Sequence, residues 1–246
     1  MDPDTQALLE SLKEARQTDP NAGLGLGAKS LVQRLTYALQ TESGINADQL
    51  MMILGSLTGY ACQQAVRQIA AAQQRPAQLI FTITTGGDGR RYMSGDHLNF
   101  FLFQGPRSVW RGISSMAKAL GAADHELPNV TEIAQYVAWT VAMGQFGYVR
   151  FPPGHGATPS PEEALRHFWP QWAPDLRLFA PSPDKQPELM TIAVRTAMNQ
   201  AKEVLHPCDA LAIVMESAIA MSRVDLPQEY WGYSEDSQSQ PRAFSE

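Results

Sequence analysis

The chain has 246 residues, 44% hydrophobic and 18% charged, with a net charge of −6; that is apolar mass enough for a sizeable core in one large domain or two small ones. An acidic chain gains nothing from counterion release on a polyphosphate and is repelled by an anionic bilayer surface, so neither nucleic acid nor membrane is an expected partner. Two cysteines, Cys62 and Cys208, cannot form a disulfide framework. The N-terminal residues show no signal-peptide pattern, and no apolar run reaches the ~18–20 residues of a membrane span, so the expected protein is soluble and cytoplasmic.

In chain order, residues 5–17 read as a short surface helix stopped before Pro20. "GLGLGAKS" (23–30) invites comparison with a phosphate-binding loop, G-x-x-x-x-G-K-[ST]. Ala28 stands where the second glycine is required, and no buried strand precedes it, so the stretch reads as a connector with Lys29 and Ser30 in the first turn of a helix over 28–41. A dinucleotide-binding G-x-G-x-x-G fails as well, because the third glycine comes one residue early. Asn46, with Gln49 as its capping-box partner, opens a helix running to about Gln74. Leu50, Ile53, Leu54, Leu57, Ala61, Ala65 and Ile69 recur on it at helical spacing, which predicts one buried face. Gly55 and Gly59, four apart, predict another helix crossing closely.

After Pro76 the pattern changes. "LIFTITT" (79–85), the turn "GGDG" (86–89) and "RRYMS" (90–94) read as a hairpin. A further helix starts near Asp96, with Ser94 or Asp96 as its cap. Residues 106–120 read as a helix. So do residues 129–146, where Asn129 and Glu132 suggest a capping box and a single charge implies burial on most sides. Nine of the seventeen prolines lie between Pro152 and Pro187. Within that stretch Ser160, Pro161 and Glu163 make a good helix start, and Pro170 is expected to end the helix. Helices over 187–205 and 207–224 follow, the last apolar almost all round and therefore central. The fold class expected is mainly α: a bundle of about seven helices with one small β-hairpin at about 79–94. Residues 1–224 form a single helical domain, with 151–186 either wrapping it or linking two halves. The tail 225–246 is polar and expected to be partly disordered.

The densest polar cluster is "TTGGDGRRYMSGDHLN" (84–99). Glycines free backbone N–H groups, two arginines offer forked donors, and a helix start aims its positive end at the same place. Arg90, Arg91, Tyr92, Asp96 and His97 are therefore the candidate ligand residues, for an anionic group; as a plain hairpin tip, the same residues would be solvated. Metal ligation is not expected. Glu203 and His206 have the E-x-x-H spacing of di-iron bundles, but no second motif accompanies them. Glu163 and His167 make half a site at most, and "DHE" (124–126) cannot converge on one ion if extended. His206 reads as a cation at a helix C-terminus. Asp209, Glu216 and Arg223 form one polar stripe on the last helix, read as its solvent edge, with a pocket carboxylate as the alternative. "EYWGY" (229–233) reads as an aromatic segment docking on its own chain or on a partner.

No catalytic signature or cofactor motif stands out. The functional expectation is a helical protein acting through a homo-oligomer or protein-partner contact; the alternative is a small-molecule binder or enzyme using 86–99.

Overall fold

The computed structural model describes residues 3–19 and 21–226. Its helices are α1 (Pro3–Thr18), α2 (Leu24–Leu39), α3 (Ala47–Ala72), α4 (Asp96–Asn99), α5 (Val109–Ala119), α6 (Val130–Thr140), α7 (Pro161–Phe179), α8 (Lys185–Ala201) and α9 (Pro207–Met221). One antiparallel hairpin, β1 (Thr82–Thr85) and β2 (Arg91–Ser94), pairs Thr82 with Ser94 and Thr85 with Arg91. The protein is thus mainly α, a helical bundle carrying a small hairpin. Among the described residues no helix is long and apolar enough to cross a membrane. Pro20 and the segment 227–246, which holds "EYWGY", lie outside the described residues.

The bundle is organised around α3 and α9. Asn46 caps α3 as expected, its Oδ1 accepting the Gln49 N–H at 3.0 Å. The apolar recurrence underestimates this helix. From Leu50 to Val66 every residue is buried, polar ones included, because α7, α8 and α9 cover it from several sides. The crossing predicted by Gly55 and Gly59 is the contact with α9. A Cβ at Gly55 would lie 2.6 Å from the Val214 carbonyl oxygen, and one at Gly59 would lie 2.6 Å from the Ala218 carbonyl carbon and 2.7 Å from its Cα. One turn on, Gln63 reaches the Ser222 carbonyl. Contacts that advance by four on both helices mean that α3 and α9 run side by side in the same direction.

Serine and threonine inside this pair do not compete with it. Ser56, Thr58 and Ser217 each bond back to a carbonyl one turn earlier (Met52, Leu54 and Ile213), so their buried hydroxyls are satisfied within their own helices.

Several expected boundaries move. α2 begins at Leu24, with Gly23 at φ 98° as its cap, so Lys29 and Ser30 sit in its second turn rather than its first. Gly25 and Gly27 are helical, and Gly27 lets α2 lie against Phe179 and Leu189. α7 does not stop at Pro170 but runs through both Pro170 and Pro174 to Phe179. These prolines are four apart on its exposed side, so the carbonyls they leave unpaired can turn to water while Phe168, Trp169, Trp172 and Leu176 stay buried. The start of α7 is as expected: Ser160 Oγ accepts the Glu163 N–H, and Glu163 bonds back to the Ser160 N–H. Gly95, not Ser94 or Asp96, precedes α4 as its cap and makes no side-chain bond.

Close approach at Gly59 has a testable cost. Gly59→Ala should gain about 1 kcal/mol of helix propensity yet lose more through a Cβ pressed on backbone atoms that cannot rotate away, for a net loss of roughly 1–3 kcal/mol. Gly25, helical with nothing within 4 Å of an added Cβ, is the control: Gly25→Ala should leave stability unchanged or raise it by up to about 1 kcal/mol. Urea denaturation midpoints of both variants check this, and equal midpoints would contradict the close-contact account.

Candidate functional site

The hairpin is held to the bundle end by backbone and side chain together. After α9 the chain continues beside β2. The Met93 N–H donates to the Arg223 carbonyl at 2.8 Å, and Tyr92 bridges to Val224. Gln63 Nε2 donates to the Ser222 and Val224 carbonyls at 2.8 and 2.9 Å, tying this added strand to α3. Arg67 Nη2 bonds Asp225 at 2.7 Å, and Arg91 Nε lies 3.3 Å from the same carboxylate. Burial pulls the Arg67 pKa below the ordinary arginine range, and Asp225 opposes that shift.

This arrangement separates the five residues singled out in the sequence. Arg90 pairs with Glu162 on α7, with its guanidinium 5.9 Å from the centre of the Tyr92 ring. Tyr92 is buried. Its hydroxyl donates to Asp88 at 2.6 Å, and its ring meets Phe146 edge-on at 4.9 Å. Burial and that hydrogen bond push the Tyr92 phenol up to about 12. Arg91 points to Asp225 instead. Asp96 is exposed, and His97 lines a cleft of about 220 Å³ whose walls include Val66, Ala70, Ile80 and Phe101. The structure therefore brings Arg90 and Tyr92 together, commits each arginine to a carboxylate, and leaves His97 exposed beside a cleft that Gln73 and Arg75 also line.

The polar stripe on α9 is not its solvent edge. Glu216 is buried and receives the Arg150 backbone N–H and Nε at 2.7 Å each. The Arg150 guanidinium covers the Tyr136 ring at 3.9 Å. Arg223 is half-buried, and burial lowers its pKa. The Arg150–Glu216 bond also explains the end of α6. The chain leaves the helix after Thr140, Ala142 takes a positive φ of 64°, and the segment turns back so that Arg150 reaches α9. α6 is consequently shorter than expected and buried only at Ile133, Val137 and Thr140, leaving Trp139 64%, Met143 44% and Tyr148 63% exposed.

Most of the remaining metal candidates take structural roles. His206 caps the start of α9, its Nδ1 accepting the Cys208 N–H at 3.4 Å, rather than sitting at a helix C-terminus. Glu203 is exposed. His167 packs edge-on against Phe168 at 4.7 Å, and Asp124 pairs with Lys118.

A second polar site has no counterpart in the sequence reading. Asp48, in the first turn of α3, accepts from His155 Nδ1 at 3.0 Å on each oxygen and from the Gly156 N–H at 3.1 Å. These residues are about a hundred positions apart. The only local signals are an acid placed just after a helix cap and a histidine in the glycine- and proline-rich "PPGHG". No protein-family model, curated protein or solved structure matches this chain.

Two measurements probe these charges. Burial pushes the Glu162 carboxyl up, but bonds from Arg90 and Arg166 outweigh it and hold the pKa below the ordinary glutamate range. A carboxylate depressed in the folded state contributes stability that is fully present above its unfolded pKa, ~4.3, and is lost as pH falls through the folded value. Glu162→Gln should therefore lower stability at neutral pH but flatten its decline below about pH 5, as read from urea midpoints across acid pH; parallel wild-type and variant curves would refute the assignment. For the α9 pair, Arg150→Met should cost about 3 kcal/mol, because it strips a buried carboxylate of its main partner. Glu216→Gln should cost only about 1 kcal/mol, because the arginine left behind is half exposed. Thermal unfolding of the two variants compares the costs.

Proposed function

We propose that the protein works by association, through a surface formed by the end of α6 and the turn that follows it, and that its first partner is a second copy of the same chain. The observation that carries this reading is the segment 133–149. It contains no charged residue and no histidine, yet it leaves Trp139, Met143 and Tyr148 substantially exposed. Aromatic residues and methionine with few charges are the composition of interface cores, and a few buried aromatics carry most of the binding energy. Closed assemblies of identical subunits are the commonest oligomers, and a dimer requires only that one such surface complement itself. An anionic-ligand site at 86–99 draws less support, because Arg90 and Arg91 are each spent on a carboxylate within the chain.

Size-exclusion chromatography with light scattering over the micromolar range should give a dimer or larger species. Trp139→Ser should move the chain to monomer with at least about a 30-fold weaker association, the effect of a hot spot of ~2 kcal/mol. Tyr37→Ser, at an exposed aromatic on α2, should leave the assembly intact. A wild-type chain that stays monomeric throughout would defeat the proposal.

A further inference from the structure

The Asp48–His155 pair stands at the wall of a cleft of about 510 Å³ between the α2–α3 turn and the 152–156 loop, bordered also by Leu39, Thr41, Ser43, Ile45 and Val204. Its geometry goes further than a tie between a loop and a helix. Asp48 has a side chain only 9% exposed, and its carboxylate is engaged by the His155 ring and the Gly156 N–H. A carboxylate accepting from Nδ1 fixes the neutral imidazole with its proton on that nitrogen, which leaves Nε2 with a free lone pair. The loop behind the ring is fastened from the other side too. Asn46, besides capping α3, donates from Nδ2 to the Gly156 carbonyl at 2.9 Å. The ring itself stays 35% exposed.

The hydroxyls beside it are also oriented. Thr41 Oγ1 gives its proton to the Gly44 carbonyl at 2.6 Å, so its 3.0 Å contact with Ser43 Oγ must use the Ser43 proton. Ser43 then has only acceptor capacity left. The cleft thus offers two acceptors, His155 Nε2 and Ser43 Oγ, beside the side-chain amide of Gln49. It is lined by no lysine or arginine, its one carboxylate is already engaged, and Leu39, Ile45 and Val204 supply apolar surface. No unpaired formal charge in this lining is offered to an anion or a cation.

We propose that this cleft binds a small uncharged molecule carrying a hydroxyl group, with His155 Nε2 accepting the hydroxyl proton and Asp48 holding the ring as a positioning residue. The carbon skeleton lies on the apolar wall.

The test uses the full chain labelled with nitrogen-15 and long-range imidazole spectra, which report the tautomer and the occupancy of each ring nitrogen. The probes are methyl glucoside, inositol and benzyl alcohol, with inorganic phosphate as a charged control. The expected result, with the ring in its neutral form, is an Nε2 without a proton that shifts saturably with at least one hydroxyl probe and not with phosphate. Ser43→Ala touches only an exposed side chain and should weaken the responding probe several-fold without changing the melting temperature. Asp48→Asn should weaken it by about 10-fold or more and move the His155 tautomer equilibrium. A neutral ring protonated on Nε2, or His155 signals unmoved by all three hydroxyl probes, would overturn the proposal. So would a response to phosphate equal to that of the hydroxyl probes.

Discussion

Two glycines on α3, at its point of contact with α9, set the geometry of this protein. At Gly55 and Gly59 the backbone of α3 lies directly against that of α9, closer than any Cβ would permit. Dispersion and desolvation gains depend on short distances, so this close seam is where the bundle is densest. It also fixes a register, since the two helices advance together turn by turn toward Gln63 and Ser222. The other helices then have a defined surface to cover. α8 lies along α3 and continues to α2, where Gly27 makes room for Leu189 and for Phe179 at the end of α7.

The seam also decides where the hairpin goes. Because α3 and α9 run in the same direction, both end at one side of the bundle, and the chain leaving α9 emerges beside Gln63 and Arg67. The hairpin adds itself to that emerging strand, and a small apolar cluster of Val66, Ala70, Ile80, Phe81 and Met93 fills the gap between them. An isolated two-stranded hairpin is marginal in water. This one has an additional edge pairing to the strand after α9, which Gln63 ties to α3, and its Arg90 and Arg91 each pair with a carboxylate outside it.

Several charges in this molecule are used to join its own segments. Glu162 gathers Arg90 and Arg166, Asp225 gathers Arg67 and Arg91, and Glu216 takes Arg150. Each pair joins segments far apart in the chain or stiffens a helix that does so. Two surfaces differ in character: the uncharged turn after α6, and the cleft where Asp48 orients His155. Association and small-molecule binding, as proposed for them, place separate demands on the fold, and the surfaces belong to different segments.

How much of this was legible beforehand follows from the range of the interactions involved. Caps, turns and periodicity are local, so Asn46, Ser160, the hairpin and the positions of the main helices could be read from neighbouring residues. The glycine pair on α3 announced a crossing but not its partner. Composition could not say which polar residues would be buried, because that depends on what packs over them: Glu216 looked solvent-facing until Arg150 folded back on it. Proline at 170 looked like a helix end because a single residue cannot show that its freed carbonyl faces water. The sequence by itself determined the mainly α class and most element starts, through hydrogen bonds and side-chain spacing within a few residues. Only the tertiary structure decided the pairing of distant charges, the exposure of Trp139 and the meeting of Asp48 with His155, since each requires segments that only packing brings together.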